Sequence, residues 1–192
     1  MESKIKSIIQ SSIDLKSKVI NDPIIVATIK EVIEKIVTCY ESGGKVLFCG
    51  NGGSAADAQH LAAELSGRFY FDRFPLFAEA LHVNSSYLTA VANDYGYEEV
   101  YARLVMAMGR KSDILVGLST SGNSANINRA FKEANTLGMI TVGLTGQTGG
   151  ELKDKCTYLL NIPSIDTPRI QEVHILIGHI ICEMVEAKLF KN

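Results

Sequence analysis

Residues 46–58 read VLFCGNGGSAADA: a short apolar run, a glycine-rich loop, and the alanine-rich opening of a helix. The same order returns at 114–126 (ILVGLSTSGNSAN) and again at 141–152 (TVGLTGQTGGEL). Runs at Lys45–Cys49, Asp113–Leu118, Met139–Leu144 and Thr157–Ile162 are too short for helices and lack polar alternation, with Ala78–Val83 as a fifth candidate. Continuous apolar strands separated by helical segments are the mark of a parallel sheet covered on both faces. The reading predicts one α/β domain of the open, doubly wound kind, a five-stranded parallel sheet flanked by helices. In such sheets ligands bind beyond the carboxyl ends of the strands, where these three loops would lie.

Two further helices precede the first strand. Ile5, Ile8, Ile9 and Ile13 recur at helical spacing among polar residues, and Ile25, Ile29, Val32, Ile33, Ile36 and Val37 form a second stripe. Between them Asp22 is placed to cap and Pro23 to open the second helix. Ser42-Gly43-Gly44 ends it. The chain thus divides into a helical pair (1–43), for which a subunit interface is one outlet, and an α/β core (44–192).

Composition narrows the function. Nineteen Lys and Arg against 21 Asp and Glu give a net charge of −2, which excludes a strongly basic nucleic-acid binder and offers no attraction to an anionic membrane. No apolar run approaches the ~20 residues of a bilayer span. The first 20 residues mix charge throughout, unlike a signal or transit peptide. Four scattered cysteines without a CxxC read as reduced thiols, so a cytoplasmic location is expected.

The loop Ser119-Thr120-Ser121-Gly122-Asn123-Ser124 carries four hydroxyls ahead of a helix expected from about Ala125 to Leu137. With the unpaired amides of that helix it would make a neutral, donating nest for a phosphate. A helix cap needs one such hydroxyl, not four. Gly50-Asn51-Gly52-Gly53-Ser54-Ala55 nominally matches a dinucleotide fingerprint, but Asp72, the acid at the required distance, does not end a strand. The Walker phosphate pattern is absent.

The helix after that loop carries Asp57, His60 and Glu64. His60 and Glu64, four apart, share one face and can ligate a metal or form an acid–base couple. A helix expected from Thr167 through Lys188 holds Gln171, His174 and His179, with His174 assigned to structure. Asn93-Asp94 suits sugar hydroxyls, but alone reads as a turn.

Taken together, CGNGGSAADAQHLAAELSGRF (49–69), AVANDYG (90–96), STSGNSAN (119–126), LTGQTGGEL (144–152) and PRIQEVHILIGHIICEMVE (168–186) resemble the sugar isomerase (SIS) domain family, and within it the phosphoheptose isomerases. The resemblance implies an aldose–ketose isomerase acting between sedoheptulose 7-phosphate and glycero-manno-heptose 7-phosphate, ahead of activated heptose for lipopolysaccharide or a related glycan. It implies that Ser119, Thr120, Ser121 and Ser124 hold the phosphate, while Asn51, Gly52, Gly53, Asn93, Asp94, Glu64 and Gln171 contact the sugar. Glu64 would be the base and His179 its partner acid. His60, Glu64, Gln171 and His179 match the family's ligands for one zinc ion. A homotetramer with active sites at subunit interfaces is also implied. Gln171 and His179 stand ~12 Å apart along one straight helix, so a shared metal requires both side chains to reach inward.

Two rivals belong to the same fold: a non-catalytic regulator that binds a replication initiator protein, and an isomerase of another sugar phosphate. The non-catalytic relative looks to lack the acid on the first core helix and the late histidine. Glu64 and His179 are both present here, which favours the enzyme.

Overall fold

In the computed structural model, which describes residues 1–190, the chain begins with α1 (Glu2–Ile20) and α2 (Pro23–Glu41). Asp22 caps α2 through its carboxylate, which accepts from the amides of Ile24 and Ile25, and Pro23 is its first residue. There follow β1 (Val46–Gly50), α3 (Gly53–Ser66), β2 (Ala78–Ala80), α4 (Ser85–Tyr95), a 3-10 turn at Tyr97–Glu99 and α5 (Val100–Met108). The chain continues through β3 (Ile114–Ser119), α6 (Ala125–Thr136), β4 (Ile140–Thr145), a 3-10 helix at Gly150–Lys155, β5 (Tyr158–Asn161) and α7 (Thr167–Phe190).

The sheet has the five parallel strands that the sequence predicts, and their order is β2-β1-β3-β4-β5. Alternate residues sort the core into two layers, because strand side chains point to opposite faces. Val46, Phe48, Ile114 and Val116 pack under α2, α3 and α7. Leu47, Cys49 and Leu115 pack under α4, α5 and α6, around the fully buried Tyr101 and Phe131. Each of those rings contributes roughly 1.5–3 kcal/mol by leaving water. The chain leaves β1 toward one edge of the sheet and β3 toward the other. The loops after β1 and β3 therefore flank the point where strand order reverses, which is where doubly wound sheets open a crevice.

Three local expectations change. The 78–83 run keeps only three paired residues, because the chain turns at Leu81 and Val83 bonds back to Ala80. Asn93 and Asp94 lie in the last turn of α4, not in a turn between elements. The two N-terminal stripes also part company. The α2 stripe is buried within this chain, whereas Ile5, Ile8, Ile9 and Ile13 on α1 remain 44–55% exposed. Among the described residues no helix is long and apolar enough to cross a membrane. All four cysteines are unpaired, and burial pushes the Cys39 thiol up to about 11 and those of Cys156 and Cys182 up to about 12.

His174 has the structural place assigned to it. Its ring is fully buried under β4, Nε2–H donates to the Thr145 carbonyl at 3.1 Å, and Nδ1 has no partner among the described residues. Burial lowers its pKa from 6.5 to about 4, against a smaller opposing pull from the Thr145 carbonyl. A group depressed on folding stabilises the protein above its unfolded value, and that stability fades as pH falls through 6.5 toward 4. In urea unfolding, His174→Gln is expected to lose about 2 kcal/mol less stability than the parent chain between about pH 7 and about pH 4.5.

Candidate active site

The packing of α7 against α3 builds the centre of the site. Gly178 makes that approach possible: a Cβ there would stand 2.5 Å from the Leu61 methyl carbons. The helices therefore come close enough for His179, the next residue, to reach across to the exposed face of α3. His60 Nε2 lies 3.0 Å from Glu64 Oε1, and His179 Nε2 lies 3.4 Å from His60 Nε2. The imidazole centroids are 5.0 Å apart in an edge-on arrangement. One ligand atom from each of His60, Glu64 and His179 falls within 4.8 Å of the others. Two imidazoles and a carboxylate at such spacing match a catalytic zinc site with a fourth position left for water or substrate.

The other predicted residues surround this group unequally. Asn51 is fixed by a reciprocal amide pair with the buried Asn126, at 2.9 and 2.8 Å, and receives the Tyr97 hydroxyl at 3.3 Å. That pair ties the β1 loop to the start of α6 across the crevice. Gly52 and Gly53 are exposed at the start of α3. The Gln171 amide abuts Gly53, with Nε2 2.9 Å from where a Cβ there would stand. Gln171 lies two helical turns before His179 on α7. Asn93 and Asp94 are exposed and bond to each other at 2.9 Å. Among the described residues, no hydrogen bond links that pair to the other candidates.

The serine loop forms a separate lobe. Ser119 Oγ and Ser124 Oγ are 3.0 Å apart, the Gly122 amide donates to Ser119 Oγ, and the Asn123 amide donates to Ser121 Oγ. The turn needs glycine at 122, where φ is +68° and a side chain would strike the Gly149 carbonyl. A cavity of about 260 Å³ opens beside it, lined by Thr120, Ser121, Gln147, Thr148, Ser164 and Thr167 among others. No lysine or arginine lines it. Ser124 stands at the N-cap of α6 yet makes no side-chain cap bond, so the ordinary reason for a serine there does not apply.

Four residues of this architecture escape the sequence-derived site. Gly178 and Asn126 position others, and only a lone glycine inside a helical pattern hints at the first. Arg73 and Glu186 pair beneath the site, with no sequence signal of their partnership. Asp57, on the same face of α3, has its carboxyl pushed above the usual range by burial, while His60 and His179 pull it back.

Comparison with known proteins decides the lineage. The SIS domain profile matches residues 12–146. A phosphoheptose isomerase of Clostridium acetobutylicum is 50% identical over 190 residues, covering 99% of this chain and 97% of the relative. The chain belongs to the phosphoheptose isomerase family. A solved phosphoheptose isomerase from Neisseria gonorrhoeae superposes with a TM-score of 0.91 at 41% identity, covering 97% of this chain and 98% of that one. One from Francisella tularensis gives 0.91 at 40% identity, with 95% and 96% covered. Family membership removes the dinucleotide reading of the β1 loop and agrees with the enzyme reading over the regulator.

The Ser124 hydroxyl makes no cap bond and, among the described residues, meets only Ser119 Oγ, so the fold leans on it little. Ser124→Ala should shift the melting temperature by less than about 2 °C, whereas loss of a working cap would cost about 1 kcal/mol.

Proposed function

We propose that this chain interconverts D-sedoheptulose 7-phosphate and D-glycero-D-manno-heptose 7-phosphate through an enediol. The observation that carries the reading is the meeting of Glu64 with His179, a carboxylate and an imidazole from helices distant in sequence, in a family member with a neutral hydroxyl nest nearby. Ser119, Thr120, Ser121 and Ser124 would hold the phosphate by hydrogen bonds and by the start of α6. Asn51, Gly52, Gly53, Asn93, Asp94, Glu64 and Gln171 would contact the sugar.

The proton bookkeeping is simple. Glu64 removes a proton from C1 of the ketose while the His179 imidazolium protonates the carbonyl oxygen on C2, giving the enediol. The neutral imidazole then takes the proton from the oxygen on C1, and Glu64 returns its proton to C2. The aldose forms, both groups are restored, and no redox cofactor is consumed. His60 and His179 with Glu64 fit a zinc ion, with Gln171 as a proposed fourth donor. Zinc takes a neutral imidazole, so with the ion bound it, and not a His179 imidazolium, would supply the polarisation of the carbonyl and the stabilisation of negative charge on the enediolate.

The N-terminal pair, 1–43, is proposed as the assembly element of a homotetramer with active sites at subunit interfaces. The exposed isoleucines of α1 support it. Sugar phosphates are charged and cross bilayers poorly, which supports action in the cytoplasm. The product would supply activated heptose for lipopolysaccharide core or a related surface glycan.

Incubated with sedoheptulose 7-phosphate in deuterated water, the protein should place solvent deuterium on C2 of the aldose. Glu64→Gln and His179→Ala should each lower turnover by about 10² or more. Near-parental rates in both variants would remove these residues from the chemistry. Separately, a strong chelator should depress turnover by about tenfold or more and Zn²⁺ should restore it, as expected where a metal supplies several kcal/mol of charge stabilisation.

A further inference from the structure

Glu186 lies seven residues after His179, two turns along the same face of α7, and its side chain is fully buried. A buried carboxylate without partners would be costly, yet this one is fully engaged. It accepts from the amides of Phe69, Tyr70 and Phe71 at 2.8, 2.6 and 2.9 Å, and from Arg73 Nε at 2.9 Å. Burial alone would push this carboxyl up, but those four donors outweigh it and hold it below its ordinary value.

Arg73 directs most of its remaining donors to the end of α3, with Nη1 also reaching the Phe74 carbonyl at 3.2 Å. Nη1 donates to the carbonyls of Leu65 and Gly67 at 2.8 and 3.1 Å, and Nη2 donates to the carbonyl of Glu64 itself at 3.0 Å. The guanidinium is a C-terminal cap on the helix that carries the proposed base, and the last carbonyls of a helix are where a cation is favoured. The same carboxylate that receives Arg73 also fixes Phe69, whose ring packs against His179 with centroids 5.9 Å apart. One buried ion pair therefore ties the backbone of Glu64 on α3 to the helix of His179, and braces the imidazole from the side.

We infer that Arg73 and Glu186 are positioning residues for the isomerisation, a clamp that holds the Glu64 carboxylate and the His179 imidazole in register for proton transfer. The inference rests on the assignment of Glu64 and His179 as the proton-transfer pair. The buried clamp is not among the residues proposed to hold sugar or phosphate, so its loss should act on the chemical step and on the metal-type group far more than on substrate affinity, to which Glu64 is one contact of many. A planar, forked guanidinium can bridge a carboxylate and three carbonyls at once, and an ammonium cannot.

Two variants of the full-length chain test it. Arg73→Lys keeps the charge and loses the fork. The double variant Arg73→Gln with Glu186→Gln removes both charges together, avoiding an unpaired buried ion. In each, kcat with sedoheptulose 7-phosphate should fall by about tenfold or more with KM within about threefold, on the scale for small misplacement of reacting groups. Zn²⁺ affinity of the metal-free chain, measured by competition with a chromogenic chelator, should weaken by about tenfold, as for lost outer-shell support. In a folded variant, either readout within about twofold of the parent overturns the inference, as does a kcat loss that merely tracks the unfolded fraction. A Glu64→Gln control separates the two claims. If it is fully active, the assignment of the base has failed; if it is inactive beside a fully active Arg73→Lys, only the clamp has failed.

Discussion

Everything at the centre of this molecule depends on how closely α7 can lie against α3. A zone of contact that admits no side chain at position 178 brings Leu61 against bare helix backbone. Only then can an imidazole from residue 179 come within 3.4 Å of the imidazole at residue 60. The closeness is a packing result, because interiors are dense enough that one extra methyl forces neighbours to move. Both helices lie on the same face of the sheet, and α2 completes that layer with its own buried stripe. The rigid, doubly covered sheet supplies the floor from which the geometry is measured.

Among the described residues no lysine or arginine lines the cavity beside the serine loop, and this has an electrostatic consequence. A lysine or arginine close to the site would favour the ionised form of a nearby carboxylate and make it a weaker base. Hydroxyls and helix amides bind a phosphate dianion without adding a full positive charge. In the proposed reaction the anchor and the chemistry would thereby be separated: one lobe is rich in neutral donors, the other in titratable groups. The Asn51–Asn126 amide pair joins the β1 loop to the start of α6, so the two lobes are held in fixed relation.

Sequence patterning revealed the sheet because buried parallel strands have a signature that does not depend on distant contacts. It located four of the five strands to within about two residues and overran the edge strand, where the chain turns as soon as Ala80 has paired. His60 and Glu64 were legible for a local reason, since a spacing of four fixes a shared helical face. The partnership of His179 with them came from family resemblance, because no periodicity relates residues 119 positions apart. The same limit hid Arg73 and Glu186, whose buried pairing no local spacing announces. Asn93 and Asp94 looked like a turn because their residue types favour one. A helix begun at Ser85 simply extends through them.

The α1 helix raises the last question of physical consistency. Its isoleucines have the same periodicity as those of α2, yet the fold covers only the second set. Ile13, Val19 and Ile20 of α1 line an apolar groove with Leu176 and Ile180 of α7, and Ile180 is the immediate neighbour of His179. Contiguous exposed apolar surface of this kind is a feature of association sites. The His60 side chain is also half exposed, although electrostatic catalysis gains most where water is excluded. An uncovered helix face and an open catalytic centre thus share one helix, α7. Association of copies over that helix would satisfy both requirements together, which is why the proposed assembly and the proposed chemistry are one argument and not two.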